Sequence, residues 1–258
     1  MSSIVNRKSP IVNERAFTIV ELLTVIAIIA ILAAILLPAL SAAKVQAQKK
    51  QARLQIQDIV TAIQNYDSAY SRMPVSTAAQ SAAVAAGGSF TYGTNGVANA
   101  SFSLLNPPAV TCNSNNSEVI AILMDITNTT VTAVNANHQK NPQQTVFLNA
   151  KTVSNPNLPG VGPDLVYRDP WKNPYIITMD VNDDNQCKDA FYGLSAVSGP
   201  GGANTNPGAN GLINPDGTPD NFRFHGNVMV WSAGPDRKVD PTVAATAGVN
   251  SDNILSWQ

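Results

Sequence analysis

The stretch AFTIVELLTVIAIIAILAAILLPAL, Ala16–Leu40, decides the fold. Between Phe17 and Leu40 its apolar run is interrupted only by Thr18, Glu21, Thr24 and Pro38. A helix rises about 1.5 Å per residue, so roughly 20 residues cross the ~30 Å hydrocarbon layer. The run is long enough to span, and longer than the apolar core of an ordinary secretory signal. Apolar residues fall on every side of such a helix, which excludes a helix lying flat on a surface. Glu21 is the exception. A carboxylate at the mouth of such a segment is costly and marks function.

Outward from this run, Arg7, Lys8 and Arg15 flank one end and Lys44, Lys49, Lys50 and Arg53 the other, so flanking charge alone does not orient it. Beyond Ser41, Val45, Ala52, Ile56, Ile59, Val60, Ile63, Tyr66 and Tyr70 recur at three- and four-residue steps. That is one apolar face of a continuing helix, with lysines and glutamines opposite, and Pro74 ends the pattern. The spacing predicts one helix from about residue 18 to about residue 70. Its first half is apolar all round and its second half is apolar on one stripe.

Composition excludes several classes. The chain has 258 residues, a net charge of −1 and no basic stripe interleaved with aromatics, so no nucleic-acid partner is expected. Two cysteines without a CxxC do not make a disulfide framework or a zinc site. No GxSxG, HExxH or phosphate loop occurs and there are only two histidines, His138 and His225, so no enzyme activity is expected.

The Ala16–Leu40 stretch resembles the prepilin signature of type IV pilins and type II secretion pseudopilins. That signature has a short basic leader, a small residue, Phe, Glu four positions later and an apolar helix containing Pro. The resemblance implies a leader over residues 1–16, removed by a prepilin peptidase between Ala16 and Phe17, and methylation of the new Phe17 amine. Ala16 stands where Gly is usual. The resemblance also implies that Glu21 pairs with that amine, within a subunit or between neighbours, and sets the register as subunits leave the membrane. The other reading is a helix-start glutamate favoured by the macrodipole. Pro38 removes a backbone hydrogen bond, and in filaments of the family the matching region is partly melted.

The fold class expected is α+β and pilin-like, with the long helix packed on a small antiparallel sheet with long loops. Its parts are the leader (1–16), a transmembrane and assembly helix (17–40), its amphipathic continuation (41–74) and a β-rich globular domain (75–258). Within that domain, residues 76–108 read as a surface insertion. Ser117–Ile126 reads as a short helix capped by Ser117, and residues 144–153 alternate like a strand. YIITMDV (175–181) and the start of NVMVWSAGPDRKVD (227–240) are the strong strands. The Gly/Asn/Pro-rich residues 198–220 read as an exposed, mobile loop. DVNDDN (180–185) is either a strand-end turn or a second metal site lacking the usual Gly and Glu.

Asp169-Pro170-Trp171-Lys172-Asn173-Pro174-Tyr175 is similar to the Asp-Pro-Trp-Gly-Asn-Pro-Tyr motif of the type II secretion major pseudopilin, with Lys172 in place of Gly. The closing NVMVWSAGPDRKVD and SDNILSW resemble that pseudopilin's C-terminal loop, which binds Ca2+. Calcium takes six to eight oxygens, and Asp236, Asp240 and Asp252 are the carboxylates the resemblance points to, with Ser232 and loop carbonyls. The insertion PTVAATAGVN (241–250) breaks the family's spacing, and solvated turns are the other reading, above all for Asp240. Cys112 and Cys187 either pair in an oxidising compartment or stay free thiols.

Taken together the resemblance implies a structural subunit, anchored in the inner membrane with its N-terminus cytoplasmic and its globular domain periplasmic. Its partners would be copies of itself, minor pseudopilins, the prepilin peptidase and an inner-membrane secretion platform. A type IV pilus pilin, or a membrane-tethered binding module, are the alternatives.

Overall fold

Alanine, leucine, glutamine and lysine lose little side-chain freedom in a helix, and they populate residues 19–70 densely. In the computed structural model these residues form one helix, α1, Ile19–Tyr70. The structure describes residues 18–85, 87–93, 115–127 and 130–258. The helix is continuous through Pro38, whose carbonyl accepts the Ser41 hydroxyl at 2.8 Å. It stops where Ser71 adopts a left-handed φ of 51°, three residues before Pro74.

The chain divides into two units, Met1–Val45 and Gln46–Gln258. In the first, every large apolar side chain from Ile19 to Leu40 is exposed. In the second, Ala52, Ile56, Ile59, Ala62, Ile63 and Tyr66 are buried along one stripe of α1, while Val60 and Tyr70 are half-buried. Each of those isoleucines contributes roughly 1.5–3 kcal/mol on leaving water.

After α1 come α2 (Thr77–Ala85), β1 (Ser89–Tyr92), α3 (Ser117–Leu123), β2 (Gly160–Val161), β3 (Tyr167–Arg168), β4 (Ile176–Asp180) and β5 (Gln186–Cys187). A single turn α4 (Ser195–Ser198), β6 (Phe224–His225), β7 (Val228–Ser232) and β8 (Ile254–Leu255) complete the order. The main sheet is antiparallel throughout and runs β1-β4-β7-β8, with Ile177 opposite both Tyr92 and Val230, and Trp231 opposite Leu255. Both faces of this sheet are covered. Ile177, Met179, Val228 and Val230 share a core with the α1 stripe. Ile176, Met229, Trp231 and Leu255 point the other way, into a second core with Phe191, Tyr192, Leu212 and Phe222. Period-two alternation on β4 and β7 is therefore apolar on both sides.

Four expectations change. Residues 76–108 are not only a surface insertion: they supply α2 and the buried edge strand β1, and 94–108 lie outside the described residues. Ser117 does not cap α3. Asn116 occupies the cap position, and its side chain instead clamps strand ends, donating to the carbonyls of Tyr167 (3.0 Å) and Tyr175 (2.8 Å) and accepting Tyr167 N–H (2.9 Å). Residues 144–153 form no strand, only a bridge from Thr152 to Val161. The N–H groups of Phe147 and Leu148 are both spent on the Leu123 carbonyl at the end of α3. Residues 198–220 are mostly exposed, as expected, but are stitched down at several points. Leu212 is fully buried, and Asn206 and Asn214 exchange bonds at 2.9 and 2.6 Å. Asp220 and Ser195 exchange two more at 2.8 and 2.7 Å.

Candidate functional site

Ala16 and Phe17 lie outside the described residues, so the first observable part of the helix start is Thr18. Thr18 and Glu21 form a reciprocal capping box. Thr18 N–H and hydroxyl donate to Glu21 Oε2 at 2.9 and 2.8 Å, and Glu21 N–H donates to Thr18 Oγ1 at 3.2 Å. Two of the backbone donors that any helix leaves unsatisfied are thereby used. The carboxylate is folded back to the residue next to Phe17. A T-x-x-E spacing is readable in the sequence, and Thr18 is the participant that reading the glutamate alone misses. Pro38 lies further along the same exposed apolar helix, in its interior.

At the other end of the chain, Gly234, with a left-handed φ of 71°, lets the loop after β7 close on Asp252: a Cβ there would stand 2.4 Å from the Asp252 carbonyl oxygen. Asp236 N–H donates to Asp252 Oδ2 at 3.2 Å. Asp252 Oδ1 is buried and accepts no hydrogen bond. Burial, and then the charge of Asp236, raise the Asp252 carboxyl, while Lys49 of α1 acts against them. An unsatisfied buried carboxylate oxygen beside a second carboxylate is a donor pair that suits a hard cation.

Asp240 is not part of that pair. Its carboxylate accepts Thr242 N–H and hydroxyl at 2.8 and 2.6 Å. Buried Asn250 takes its N–H (2.9 Å) and carbonyl (2.8 Å), closing the insertion on itself. Among the described residues no three acidic, histidine or cysteine side chains gather as metal ligands. The structure thus brings the Asp236 backbone to Asp252, while the Asp236 and Asp240 carboxylates each accept a backbone N–H two residues on, from Lys238 and Thr242, both at 2.8 Å. Ser232 is also withdrawn, donating to Asp169 at 2.5 Å.

Residues 11–37 match the family model described as the prokaryotic N-terminal methylation motif. The chain carries a prepilin-type N-terminal methylation motif. The match supports the type IV pilin superfamily, and it covers Arg15, Ala16, Phe17, the Thr18–Glu21 box and the apolar helix up to Leu37. No curated protein and no solved structure matches the chain.

Downstream of this prepilin-type segment, the Asp169–Tyr175 turn is organised by one buried carboxylate. Asp169 Oδ1 accepts the N–H groups of Trp171 and Asn173, both at 2.8 Å. Its Oδ2 accepts Asn173 Nδ2 at 2.9 Å and the Ser232 hydroxyl. Asn173 reaches on to the Gly234 carbonyl at 3.0 Å and accepts Arg237 Nε at 3.2 Å. The turn therefore holds the start of the Asp236–Asp252 loop in place. Burial pushes the Asp169 carboxyl up to about 6 against the pull of its donors.

Asp180 binds the N–H groups of Asn182 (3.1 Å) and Asn185 (2.7 Å), so DVNDDN is a turn closed by its own first carboxylate. His138 Nδ1 lies 2.8 Å from Asp125. His225 is an exposed member of β6, beside Asn185. Cys187 is a fully buried thiol and Cys112 lies outside the described residues.

Proposed function

We propose that this chain is a structural pilin-type subunit, cleaved between Ala16 and Phe17, methylated on Phe17 and polymerised through the apolar half of α1. One observation carries the reading: a carboxylate held at the mouth of an otherwise uniformly exposed apolar helix, within a prepilin-type motif. Cleavage would create an ammonium one residue from the Thr18 N–H that already holds Glu21. A carboxylate entering an apolar environment is tolerated when a cation pairs with it. During assembly that cation would be the subunit's own Phe17 amine or a neighbour's.

Within the superfamily we infer a type II secretion pseudopilin, acting with other copies, minor pseudopilins, a prepilin peptidase and an inner-membrane platform. The Asp169–Tyr175 motif supports this choice over a surface pilus. The globular domain would be periplasmic and the N-terminus cytoplasmic, and the chain would have no catalytic role. Calcium would sit at Asp236 and Asp252 with loop carbonyls. When bound, it would neutralise the two neighbouring acidic groups and fix the C-terminal loop against β7 and β8.

Glu21→Ala tests the assembly role. The variant should insert in the membrane and keep its globular domain protease-resistant, yet yield no cross-linked multimers. Wild-type levels of multimer would remove Glu21 from assembly.

A further inference from the structure

The end of α1 carries a pocket of about 120 Å³ whose lining includes Ser71, Arg72, Gln80, Lys140 and Asp183. Arg72 is held in place there. Its Nη2 donates to the Lys140 carbonyl at 3.0 Å, and the guanidinium lies over the Tyr70 ring, 5.6 Å from its centroid. Both supports are themselves anchored. The same Lys140 carbonyl accepts the hydroxyl of fully buried Tyr66 at 2.6 Å. The Tyr70 hydroxyl donates to Asn141 Oδ1 at 2.7 Å and accepts Gln143 N–H at 3.1 Å.

Lys140 brings a second cation to the pocket. Burial first, and then the like charge of Arg72, hold its amine below the ordinary lysine value. Among the described residues, neither Arg72 nor Lys140 makes an ion pair, and Asp183 in the same lining pairs with neither. Arg72 is thus anchored beside a second cation that no ion pair neutralises, with Asp183 in the same lining and the charge of Glu118 acting on the Lys140 amine as the nearby acidic groups. A guanidinium is a rigid fork of N–H donors matched to carboxylate and phosphate oxygens, and an ammonium adds a point charge. The Gln80 amide and Ser71 hydroxyl add neutral donors to the same wall.

We propose that this pocket binds an oxyanion, a carboxylate or a phosphate, gripped by the Arg72 guanidinium and the Lys140 ammonium. The inference stands apart from the prepilin-type motif and from the calcium pair. The oxyanion is either a free solute or an acidic side chain of a second copy of this chain.

The test uses the full chain in detergent micelles, titrated with inorganic phosphate and with acetate at constant ionic strength, chloride making up the balance. The thermal midpoint of wild type should rise saturably with either anion. Arg72→Gln and Lys140→Gln should each weaken the apparent affinity at least tenfold, with Lys140→Arg restoring most of it. Cross-linking at low salt separates the sources. Loss of multimers in Arg72→Gln assigns the oxyanion to a second copy, whereas unchanged multimers with a lost phosphate response assign it to a solute. No saturable shift in wild type, or the same shift in all variants, overturns the site.

Discussion

Asp169 and Glu21 are carboxylates in opposite settings. Asp169 is fully buried and takes four donors, and burial still pushes it from 3.8 to about 6. Its folded value lies above its unfolded one, so its contribution to stability is complete below pH 4 and is lost as pH rises through about 6. A shift of about two units corresponds to on the order of 3 kcal/mol. Between pH 4 and pH 7 the urea midpoint of wild type should therefore fall more steeply than that of Asp169→Asn, whose amide does not titrate. At pH 5 that variant should be about 1–3 kcal/mol less stable, because an amide turns donors toward Asn173 and Ser232. Parallel pH profiles would contradict the burial of Asp169 as described. Glu21 sits at an exposed helix start where, among the described residues, its carboxylate is bonded to Thr18, so its removal should touch assembly and leave the globular core unaltered.

Among the elements, the turn between β3 and β4 shows what sequence carries and what it hides. Lys172 has a left-handed φ of 77°, the conformation that favours glycine. A β-carbon there costs about 1–2 kcal/mol, while glycine gives back about 0.5–1 through unfolded-state freedom. Lys172→Gly should thus stabilise the protein by about 0.5–1 kcal/mol, read as a thermal midpoint higher by roughly 1–4 °C. An unchanged or lower midpoint would mean that Lys172 makes a compensating contact. The α1 stripe from Ala52 to Tyr66 and strands β4 and β7 were legible because local periodicity sets them. The strand β1 was not, since Ser89–Tyr92 sits in an Ala/Gly/Ser-rich segment and is fixed by distant partners, above all by pairing with Ile177–Asp180. The apolar pattern of residues 144–153 misled because their backbone donors go to the end of α3. Asp240 looked like a ligand beside Asp236 and Asp252, but its carboxylate accepts Thr242 two residues on, while Asn250 holds its backbone.

At the scale of the whole molecule, the chain joins an exposed apolar helix to a domain whose sheet is covered on both faces. The C-terminal loop closes that domain through Gly234, Asp236 and Asp252, and a cation there would act on folding by mass action. At calcium a hundredfold above its dissociation constant, the gain would be about 2.7 kcal/mol. Calcium should raise the thermal midpoint of wild type and of Asp240→Asn, but not of Asp252→Asn. Indifference of wild type to both calcium and chelator would remove the site. The central claim, however, concerns the other end. Mass spectrometry of the N-terminal peptide from chain purified out of its native membrane tests it most directly. The account predicts a mature chain beginning at N-methylated Phe17, and a chain still carrying residues 1–16, or an unmodified amine at another position, would contradict it.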